Sequence, residues 1–519
     1  MKPVCLIIAW IALLPPISRS DEPARDRDPL VLVGELLPRL LGEDLGRVAA
    51  FRFEDGWKQV PMQIDERKFV DFGVARGRGP FGHGTIAYAD PFTYSGADED
   101  PRFDADDELV LMIGDAGERA PVAAALPEGT LLIGATEVSI IDPLDERDRY
   151  VYLFRTDGSL DPAAGQDRVR YTFDLLAGEY LSDYDNRQGP NPEESEVVTE
   201  HYRVHFPDRW VRDEINVFSG EASGVDILDR HKNMFALGVC ARTEDTFSLG
   251  GGGFFANIDG PIRGIRSYLG ANSGTFTQRD HMFYPQREDV VFQLRVHPIA
   301  SLVGAFDYSA EATGMTYHND LNPAGVLVDG NQDDVALGQI EWEMITGAQG
   351  SLIMVHEIET DIDPFTYTSV YTDDIAPERT QCTGDPFEYA TSGIFRNLPI
   401  PNTDPRQDPL FHLTFRRIIY YEGPDQTAQT ALARWAQVRQ PVSTTRLIYP
   451  RRLGDFNGDC FIDLEDYSML WGCISGPDRC AADSCGVFDF DTDCTVDLRD
   501  FVTFTTRMTP DGEPPPGCK

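Results

Sequence analysis

The sequence predicts a mainly β protein that consists of two β-sandwich-like domains followed by a small α-helical module. Short runs in which apolar and polar residues alternate are separated by Gly, Pro, Asn and Asp, a pattern typical of sandwich strands. Helical periodicity is scarce, and a chain of 519 residues is too long for one ordinary core. The C-terminal region differs from the rest, because it repeats an acidic loop followed by an apolar helical stripe.

Residues 1–20 have the pattern of a secretory signal peptide. An apolar stretch from Val4 to Leu14 follows Met-Lys, and Ser18 and Ser20 are the small residues that precede a cut after Ser20. This stretch is too short to span a bilayer, and no later segment approaches eighteen consecutive apolar residues. We therefore expect a secreted protein, extracellular or periplasmic, without a membrane span.

The first domain is expected at residues 21–185. The runs Val48–Phe53 and Arg149–Arg155 alternate as strands do, whereas Leu30–Leu41 is a weak helical candidate that Gly34 and Pro38 interrupt. Seven acids between Asp98 and Glu108 precede a strand-like run. They could bind Ca²⁺, but their spacing fits no loop template, and a solvated turn is the favoured interpretation.

The second domain is expected at residues 195–448, after a boundary segment at Ser182–Glu194 that is rich in Asp, Asn and Pro. Its clearest strand patterns are Val291–Val296 and Phe411–Tyr421. The segment Thr427–Val438 has helical periodicity and could close the body before a linker at 440–453. The remaining residues, 453–519, form the C-terminal module.

If the body has a reaction site, the second domain supplies the residue types for it. A lyase of acidic sugars needs a Tyr or His to move the C5 proton, and Arg or Asn to neutralise the uronate carboxylate. A glycoside hydrolase needs two carboxylates at a set separation. The lyase candidates are His201, His205, Arg263, Arg266, Tyr268, His281, Tyr284, His297, Tyr317, His318, Asn319 and Asp320, and the hydrolase candidates are Asp307, Asp320, Glu341 and Glu343.

The histidines of the body have alternative interpretations. His201 and His205 would share one face of a strand or helix, but a zinc site would need a third ligand that the sequence does not identify. His297 and His412 lie among apolar neighbours, so we expect them in the core.

Two twelve-residue loops near the C-terminus have the spacing of calcium ligands. Oxygen-bearing side chains occupy positions 1, 3, 5, 9 and 12 of both loops, 455–466 and 489–500, and position 7 would supply a backbone carbonyl. The loops lie 34 residues apart, and both have an aliphatic residue at position 8 and a helical stripe from position 10. The predicted ligands are Asp455, Asn457, Asp459, Phe461, Asp463 and Asp466 in the first loop, and Asp489, Asp491, Asp493, Thr495, Asp497 and Asp500 in the second.

This pair of loop–helix units resembles the type I dockerin, a module that attaches secreted polysaccharide-degrading proteins to cohesin-bearing scaffolds. The resemblance implies two bound Ca²⁺ ions and a cohesin-like scaffold or a cell-surface protein as partner. Two features depart from the dockerin pattern. Cys460 and Cys494 occupy position 6, where glycine is usual, and Leu464-Glu465 and Leu498-Arg499 replace the Ser/Thr pairs that dockerins often carry at positions 10 and 11.

The cysteines indicate disulfides. Removal of Cys5 with the signal peptide leaves eight, an even number in an exported chain. Cys240 and Cys382 lie in the body, and the module holds Cys460, Cys473, Cys480, Cys485, Cys494 and Cys518. The pairing of these six cannot be read from their spacing. Zinc bound by Cys480, Cys485 and a second pair is the alternative.

The formal net charge of −41 excludes nucleic acid and anionic membranes as partners, since the sequence has no basic patch. Two hypotheses remain for function. The body is either a carbohydrate-active enzyme, a polysaccharide lyase or glycoside hydrolase, that the module delivers to a scaffold, or a non-catalytic extracellular or cell-surface binding protein with a calcium-stapled adaptor.

Overall fold

The computed structural model describes residues 25–509, apart from several segments. The gaps are 76–79, 81, 83, 122–123, 146, 178–191, 236–239, 241, 250–252, 271–276, 296–298, 300, 378–380, 397–411, 450–453, 455–460, 477–478, 480, 482–484, 486–487 and 491–492. The predicted signal peptide, most of the predicted boundary segment and His297 therefore lie outside the described residues. The described chain is mainly β, as the sequence predicts.

Two stacked sheets form the N-terminal sandwich. The smaller has the order β1 (Pro29–Val33), β7 (Glu108–Met112) and β4 (Gln63–Asp65). The larger has the order β27 (Ser443–Ile448), β8 (Thr130–Ile141), β9 (Arg149–Thr156), β2 (Val48–Phe53) and β3 (Trp57–Val60). Leu32 and Leu109 of the first sheet meet Val138 and Leu153 of the second in one apolar core. A separate pair joins β5 (Arg67–Asp71) to β6 (Gly84–Tyr88).

The predicted helix at Leu30–Leu41 is wrong. Leu30 and Leu32 point into the core while their neighbours are only half-buried, which is the period of a strand. Strand β1 therefore takes the start of the segment, and a short 3-10 helix follows at Gly34–Leu36. The alternating runs at Val48 and Arg149 do form strands, β2 and β9.

A nine-stranded antiparallel sheet is the centre of the second part of the chain. Its order is β15 (Gly253–Ile258), β16 (Gly264–Leu269), β17 (Thr277–Phe283), β18 (Arg287–Arg295), β26 (His412–Glu422), β23 (Gly350–Thr360), β22 (Trp342–Gly347), β20 (Thr316–Asn319) and β21 (Asn322–Leu327). The two predicted runs at Val291 and Phe411 form the adjacent central strands β18 and β26, which pair over their whole described length. The strand predictions are therefore confirmed for β18 and β26, the two central strands of this sheet.

Two four-stranded sheets share a core with the nine-stranded sheet. One has the order β10 (Val169–Thr172), β11 (Pro192–Thr199), β12 (Tyr202–Asp208) and β13 (Glu214–Val217). The other has the order β14 (Leu228–Met234), β19 (Leu302–Tyr308), β25 (Glu388–Arg396) and β24 (Thr368–Asp374). The core between them includes Val204, Phe306, Met354 and Ile419.

The helices are few and short in the described chain. They are α1 (Phe72–Ala75), α2 (Glu244–Leu249), α3 (Ala428–Arg439), α4 (Leu464–Gly472) and α5 (Leu498–Thr505). Helix α3 confirms the predicted helix at Thr427–Val438 and packs Ala431 against Trp342 and Ile418 of the nine-stranded sheet. Within the described residues, no helix is long and apolar enough to cross a membrane.

The chain returns to its first sandwich before the C-terminal module begins. Strand β27 follows α3 and pairs along its length with β8, from Ser443 opposite Ile141 to Ile448 opposite Thr136. A buried ion cluster also joins the two parts, since Arg263 lies 2.8 Å from Asp65 and 2.6 Å from Glu108.

Candidate functional site

The described part of the second acidic loop has the internal hydrogen bonds of a tightly wound loop. The carboxylate of Asp489, at position 1, accepts the amides of Asp493 at 3.1 Å and Cys494 at 2.7 Å. Cys494, at position 6, has a φ of 69°, the left-handed conformation for which glycine is usual. The loop thus turns at position 6 as the ligand spacing requires, although a cysteine occupies that position.

The end of the second loop starts helix α5. Asp497, at position 9, accepts the amide of Arg499 at 2.7 Å and is the N-cap of the helix. Asp500, at position 12, folds back and accepts the amides of Asp497 at 2.8 Å and Phe490 at 2.6 Å. This reciprocal arrangement is a capping box, and it brings the carboxylates of positions 9 and 12 to the same end of the loop.

The first loop repeats this arrangement where it is described. Asp463 caps helix α4 by accepting the amide of Glu465 at 2.7 Å, and Asp466 accepts the amide of Asp463 at 3.0 Å. Four predicted ligands, Asp455, Asn457, Asp459 and Asp491, lie outside the described residues. Among those that are described, no group of three or more His, Cys, Asp or Glu side chains is arranged to hold a metal ion.

The two loop–helix units are joined through position 8 of each loop. Ile462 and Val496 are both buried in one core with Leu470 and Phe504. Their amides bond to side chains of the opposite unit: the Ile462 amide donates to Thr509 at 2.8 Å, and the Val496 amide donates to Ser475 at 3.0 Å.

The aliphatic residues that the sequence has at position 8 of both loops are thus buried in one core. Their backbone groups, however, bond to the segments that follow the two helices. Ser475 and Thr509 each lie 13 residues after a position-8 residue, 462 or 496, so the units exchange these bonds symmetrically.

Disulfides staple both the module and the body, as the cysteine count predicts. Cys473 is bonded to Cys485, and in the body Cys240 is bonded to Cys382 across 142 residues. Cys494 is also disulfide-bonded. The zinc alternative through Cys480 and Cys485 is wrong, because a sulfur in a disulfide cannot also be a thiolate ligand. Cys460, Cys480 and Cys518 lie outside the described residues.

Helices α4 and α5 present matching leucines to solvent. Leu464 and Leu498 occupy position 10 of their loops and are 71% and 77% exposed. Trp471 and Val502 on the same helices are also exposed, at 64% and 58%. Exposed large apolar side chains grouped on one small module are typical of a contact surface for another protein.

The lyase candidates of the body lie in buried polar networks. Glu288 pairs with Arg212, accepts a hydrogen bond from Tyr421 at 2.7 Å and lies 2.8 Å from Nδ1 of His281. The other ring nitrogen of His281 lies 3.0 Å from the hydroxyl of Tyr268. Burial raises the pKa of Glu288, but the charge of Arg212 and the hydrogen bond from His281 outweigh it and lower this pKa to about 2. Burial lowers the pKa of His281 to about 3, so its ring is neutral beside a fixed ion pair.

Other sequence candidates are also engaged with partners. Arg266 forms a fully buried bidentate pair with Glu193, at 2.8 and 2.6 Å. Arg263 and Tyr284 belong to the ion cluster between the two parts of the body, with Arg263 Nη1 3.3 Å from the Tyr284 hydroxyl. His318 lies 3.1 Å from the carbonyl of Pro323.

The hydrolase candidates do not form an open pair of carboxylates. Glu343 is buried and bonds to His356 at 3.0 Å and to Tyr317 at 3.1 Å, and Asn319 donates to the same Tyr317 hydroxyl. Asp307 is buried against Lys232 and Thr391, and burial raises its pKa to about 7. Asp320 accepts the amide of Glu341 at 3.0 Å, and Glu341 accepts a hydrogen bond from Trp435.

Two histidine predictions are corrected. His205 bonds to Asp213 at 2.8 Å and to Glu194 at 3.3 Å, and these carboxylates raise its pKa, whereas His201 lies in the turn before β12. No metal-binding group of His, Cys, Asp or Glu includes them among the described residues. His412 was expected in the core, but its side chain is 59% exposed at the start of β26, beside Asp361.

The acidic segment between Asp98 and Glu108 is a set of tight turns. Asp98, Asp104 and Asp107 each accept a backbone amide from within the segment, at 2.8 to 3.1 Å. Partial burial, and then the neighbouring Asp104, raise the pKa of Asp106 to about 6. The carboxylates serve the backbone of the turns, in agreement with the favoured interpretation.

A cavity that the sequence did not indicate lies between the nine-stranded sheet and β14, β19 and β25. Its cavity volume is about 50 Å³, inside a region of about 680 Å³ of empty space that includes open solvent. Its walls are mostly aromatic and aliphatic, with Trp210, Phe235, Phe247, Phe292 and Phe415 among them. Its polar lining consists of three arginines, Arg279, Arg396 and Arg417, with His231, Asn233 and Tyr367.

Sequence reasoning missed this group because its members come from four strands and a loop that are far apart in the chain. Arg279, Arg396 and Arg417 lie in strand-like segments, where an arginine usually faces solvent. The burial of all three is a property of the sheet packing, which no local pattern reveals.

Comparisons with known proteins assign no family. No family model matches the chain, and no curated protein matches it. Among solved structures, one of the similar chains is a candidate aldose 1-epimerase from Escherichia coli K12. It is 10% identical with a TM-score of 0.24, and the match covers 49% of this chain and 99% of that chain.

Proposed function

We propose that the protein is a secreted calcium-binding protein that takes part in polysaccharide binding or breakdown, with residues 453–519 acting as a docking module. The observation that carries this proposal is the repeated loop end, in which position 9 caps a helix and position 12 closes back on it, at both Asp463–Asp466 and Asp497–Asp500. Together with the turn at Cys494, this is the conformation that a twelve-residue calcium loop needs.

The chemistry of the side chains fits Ca²⁺ and not a transition metal. The predicted ligands are carboxylate, amide and backbone oxygens, which hard cations prefer. Asp489, Asp493, Asp497 and Asp500 each accept a backbone amide of their own loop, which fixes the orientation of each carboxylate. A bound Ca²⁺ would add a positive charge to this acidic segment.

The docking role rests on the exposed surface of α4 and α5. Leu464 and Leu498 occupy equivalent positions of the two units, and both are exposed. The partner in this proposal is a cohesin-like scaffold or a cell-surface protein that contacts this face through apolar side chains. The proposed role in polysaccharide binding or breakdown comes from the resemblance to dockerins.

Calorimetric titration of the mature chain with Ca²⁺ under oxidising conditions tests the calcium proposal. We expect two bound equivalents, and the loss of about one with Asp459→Ala and about one with Asp493→Ala. Asp334→Ala is the matched control, because it removes an exposed aspartate of the body. A titration without calcium-dependent heat contradicts the module as proposed.

A second candidate function is a non-catalytic extracellular binding protein of which the module is the adaptor. The burial of the hydrolase candidates favours the non-catalytic function, since Glu343 and Asp307 are fully buried in pairs with His356 and Lys232. Incubation of the mature chain with neutral and uronic polysaccharides separates the two. New reducing ends or unsaturated products indicate an enzyme, and retained binding without either indicates the binding protein.

A further inference from the structure

The three arginines of the interior cavity differ from three other buried arginines of the body. Arg212 pairs with Glu288, Arg263 with Asp65 and Glu108, and Arg266 with Glu193. Arg279, Arg396 and Arg417 are also buried, at 5%, 4% and 2% exposure, yet none forms an ion pair within 4.0 Å of a carboxylate in the described part of the chain. Arg212, Arg263 and Arg266 are thus neutralised by buried carboxylates, whereas the arginines of this cavity are not.

The partners that these arginines do have are neutral. Arg417 donates to the carbonyl of Gly304 at 2.9 Å, and its other terminal nitrogen lies 3.2 Å from Nε2 of His231. Arg279 donates to the amide oxygen of Asn233 at 2.5 Å. Arg396 donates to the carbonyl of Thr366 at 2.8 Å and lies over the ring of Phe365. Each arginine keeps its positive charge, and the Nε atoms of all three are buried without an acceptor.

The burial of these arginines without a carboxylate partner affects the pKa of Arg417. Burial lowers the pKa of Arg417 to about 10; the charge of Glu343 opposes this, and the charge of Arg279 adds to it. A guanidinium remains charged at neutral pH even so. An uncompensated buried charge is destabilising unless something negative comes to it. A ligand that brings one negative charge would therefore gain an interaction that the protein has left open.

We propose that this cavity is a binding site for a small organic carboxylate with an apolar body, whose carboxylate pairs with Arg417 and Arg279. The walls are aromatic and aliphatic, so the body of the ligand gains from apolar contact with Phe235, Phe292 and Phe415. Planar guanidinium groups match a carboxylate through paired hydrogen bonds. Arg396 supplies a further positive charge on the lining.

The lining argues against a sugar acid and against phosphate. The hydroxyls of a sugar would each need a hydrogen-bond partner, and beyond the arginines the polar lining is limited to His231, Asn233 and Tyr367. Tyr367 already donates to the carbonyl of Ile340 at 2.8 Å. A phosphate dianion would have to lose more hydration than a carboxylate to enter apolar surroundings. The proposal is independent of the calcium module and of the polysaccharide role.

Calorimetry of the unaltered mature chain with a matched pair of ligands tests the proposed carboxylate site. The probes are 3-phenylpropionate and its neutral amide, 3-phenylpropanamide, with D-glucuronate and inorganic phosphate alongside. We expect 3-phenylpropionate to bind at one site and the amide to bind about tenfold more weakly or worse, because the charge-assisted hydrogen bonds are lost. Equal binding of acid and amide, no binding of the acid, or tighter binding of glucuronate or phosphate each overturns the proposal.

Two variants connect the binding to the arginines. Arg417→Met removes the charge but fills similar space, and we expect at least tenfold weaker binding of 3-phenylpropionate with an unchanged or higher melting temperature. Arg102→Met, which alters an exposed arginine of the first domain, should leave binding unchanged. If Arg417→Met does not fold, Arg279→Met provides the same comparison, because Arg279 is the second arginine that pairs with the carboxylate. Unweakened binding in the folded variant contradicts the assignment.

Discussion

Nη1 of Arg417 lies 3.2 Å from Nε2 of His231, so a guanidinium of the nine-stranded sheet meets an imidazole of the facing four-stranded sheet in the interior. The guanidinium nitrogen is the donor, and Nε2 of a neutral imidazole is the acceptor. Burial, followed by the charges of Arg279 and Arg417, lowers the pKa of His231 well below its usual value. The contact therefore holds only while His231 is neutral.

The first prediction concerns the acid sensitivity of this contact. In the unfolded chain the imidazole takes up a proton near pH 6.5, whereas the folded protein excludes that proton, so the free energy of unfolding falls as pH drops below this value. His231→Gln should reduce the slope between pH 6.5 and pH 5 by up to about 1.4 kcal/mol per pH unit. Urea titrations at several pH values measure it.

The control for this experiment is His412→Gln, since the His412 side chain is 59% exposed. The control should retain the slope of the unaltered protein. Arg212, Arg279, Arg417 and His281 are the titratable or charged groups that face His231, and none of them is changed by either substitution. Identical slopes in His231→Gln and the unaltered protein would show that the buried imidazole takes up its proton at the same pH as in the unfolded chain, which contradicts the prediction.

The second prediction concerns the ion cluster that joins the two parts of the body. Arg263→Ala leaves Asp65 buried without its cation beside Glu108, which keeps only Arg67, because Arg263 is 1% exposed and bonds to both carboxylates. We expect a loss of about 3 to 5 kcal/mol in the free energy of unfolding. Arg102→Ala, which breaks an exposed pair with Asp100, should change little. Denaturant titration of both variants checks the contrast, and equal small effects would contradict it.

The third prediction is that the two described disulfides stabilise different parts of the chain. Cys240 and Cys382 close a loop of 142 residues, so their replacement by serine should lower the free energy of unfolding of the body by about 2 to 5 kcal/mol. Cys473 and Cys485 close a loop of 12 residues inside the module, so their replacement should weaken calcium binding and leave the melting of the body unchanged. Scanning calorimetry with and without Ca²⁺ measures both. A shared loss of body stability would contradict this division.

Much of the fold could be predicted because its signals are local. The alternation at Val48, Arg149, Val291 and Phe411 corresponds to strands, and the alanine-rich segment before Arg439 is helix α3. The prediction for the segment at Leu30 was wrong because its leucines fit both the period of a strand and the spacing of a helix. Only the pairing of this segment with β7 decides between the two. The return of β27 to the first sandwich is a long-range pairing without a local signal.

The candidate sites also differ in whether a local sequence pattern could predict them. The predicted calcium loops are contiguous in sequence, so ligand spacing alone suggested Asp489, Asp493, Asp497 and Asp500 as ligands, and the structure places these four residues in one wound loop. The polar residues of the body could be named but not grouped, because their partners come from distant strands. Tyr268 and His281 were both candidates and do meet, whereas their essential neighbours Glu288 and Arg212 were missed.

The fourth prediction concerns the exposed leucines of the module. Leu464 and Leu498 are the first residues of α4 and α5, and both side chains point to solvent, so aspartate at these positions should neither unfold the module nor change the calcium stoichiometry. It should abolish binding to an apolar partner surface, since two desolvated leucines would become charges. Surface plasmon resonance against immobilised cohesin modules, with Ca²⁺ present, measures the loss in Leu464→Asp/Leu498→Asp. Thr505→Asp, an exposed change on α5, is the control for added charge. A double variant that binds as well as the control would show that docking uses another face of the module.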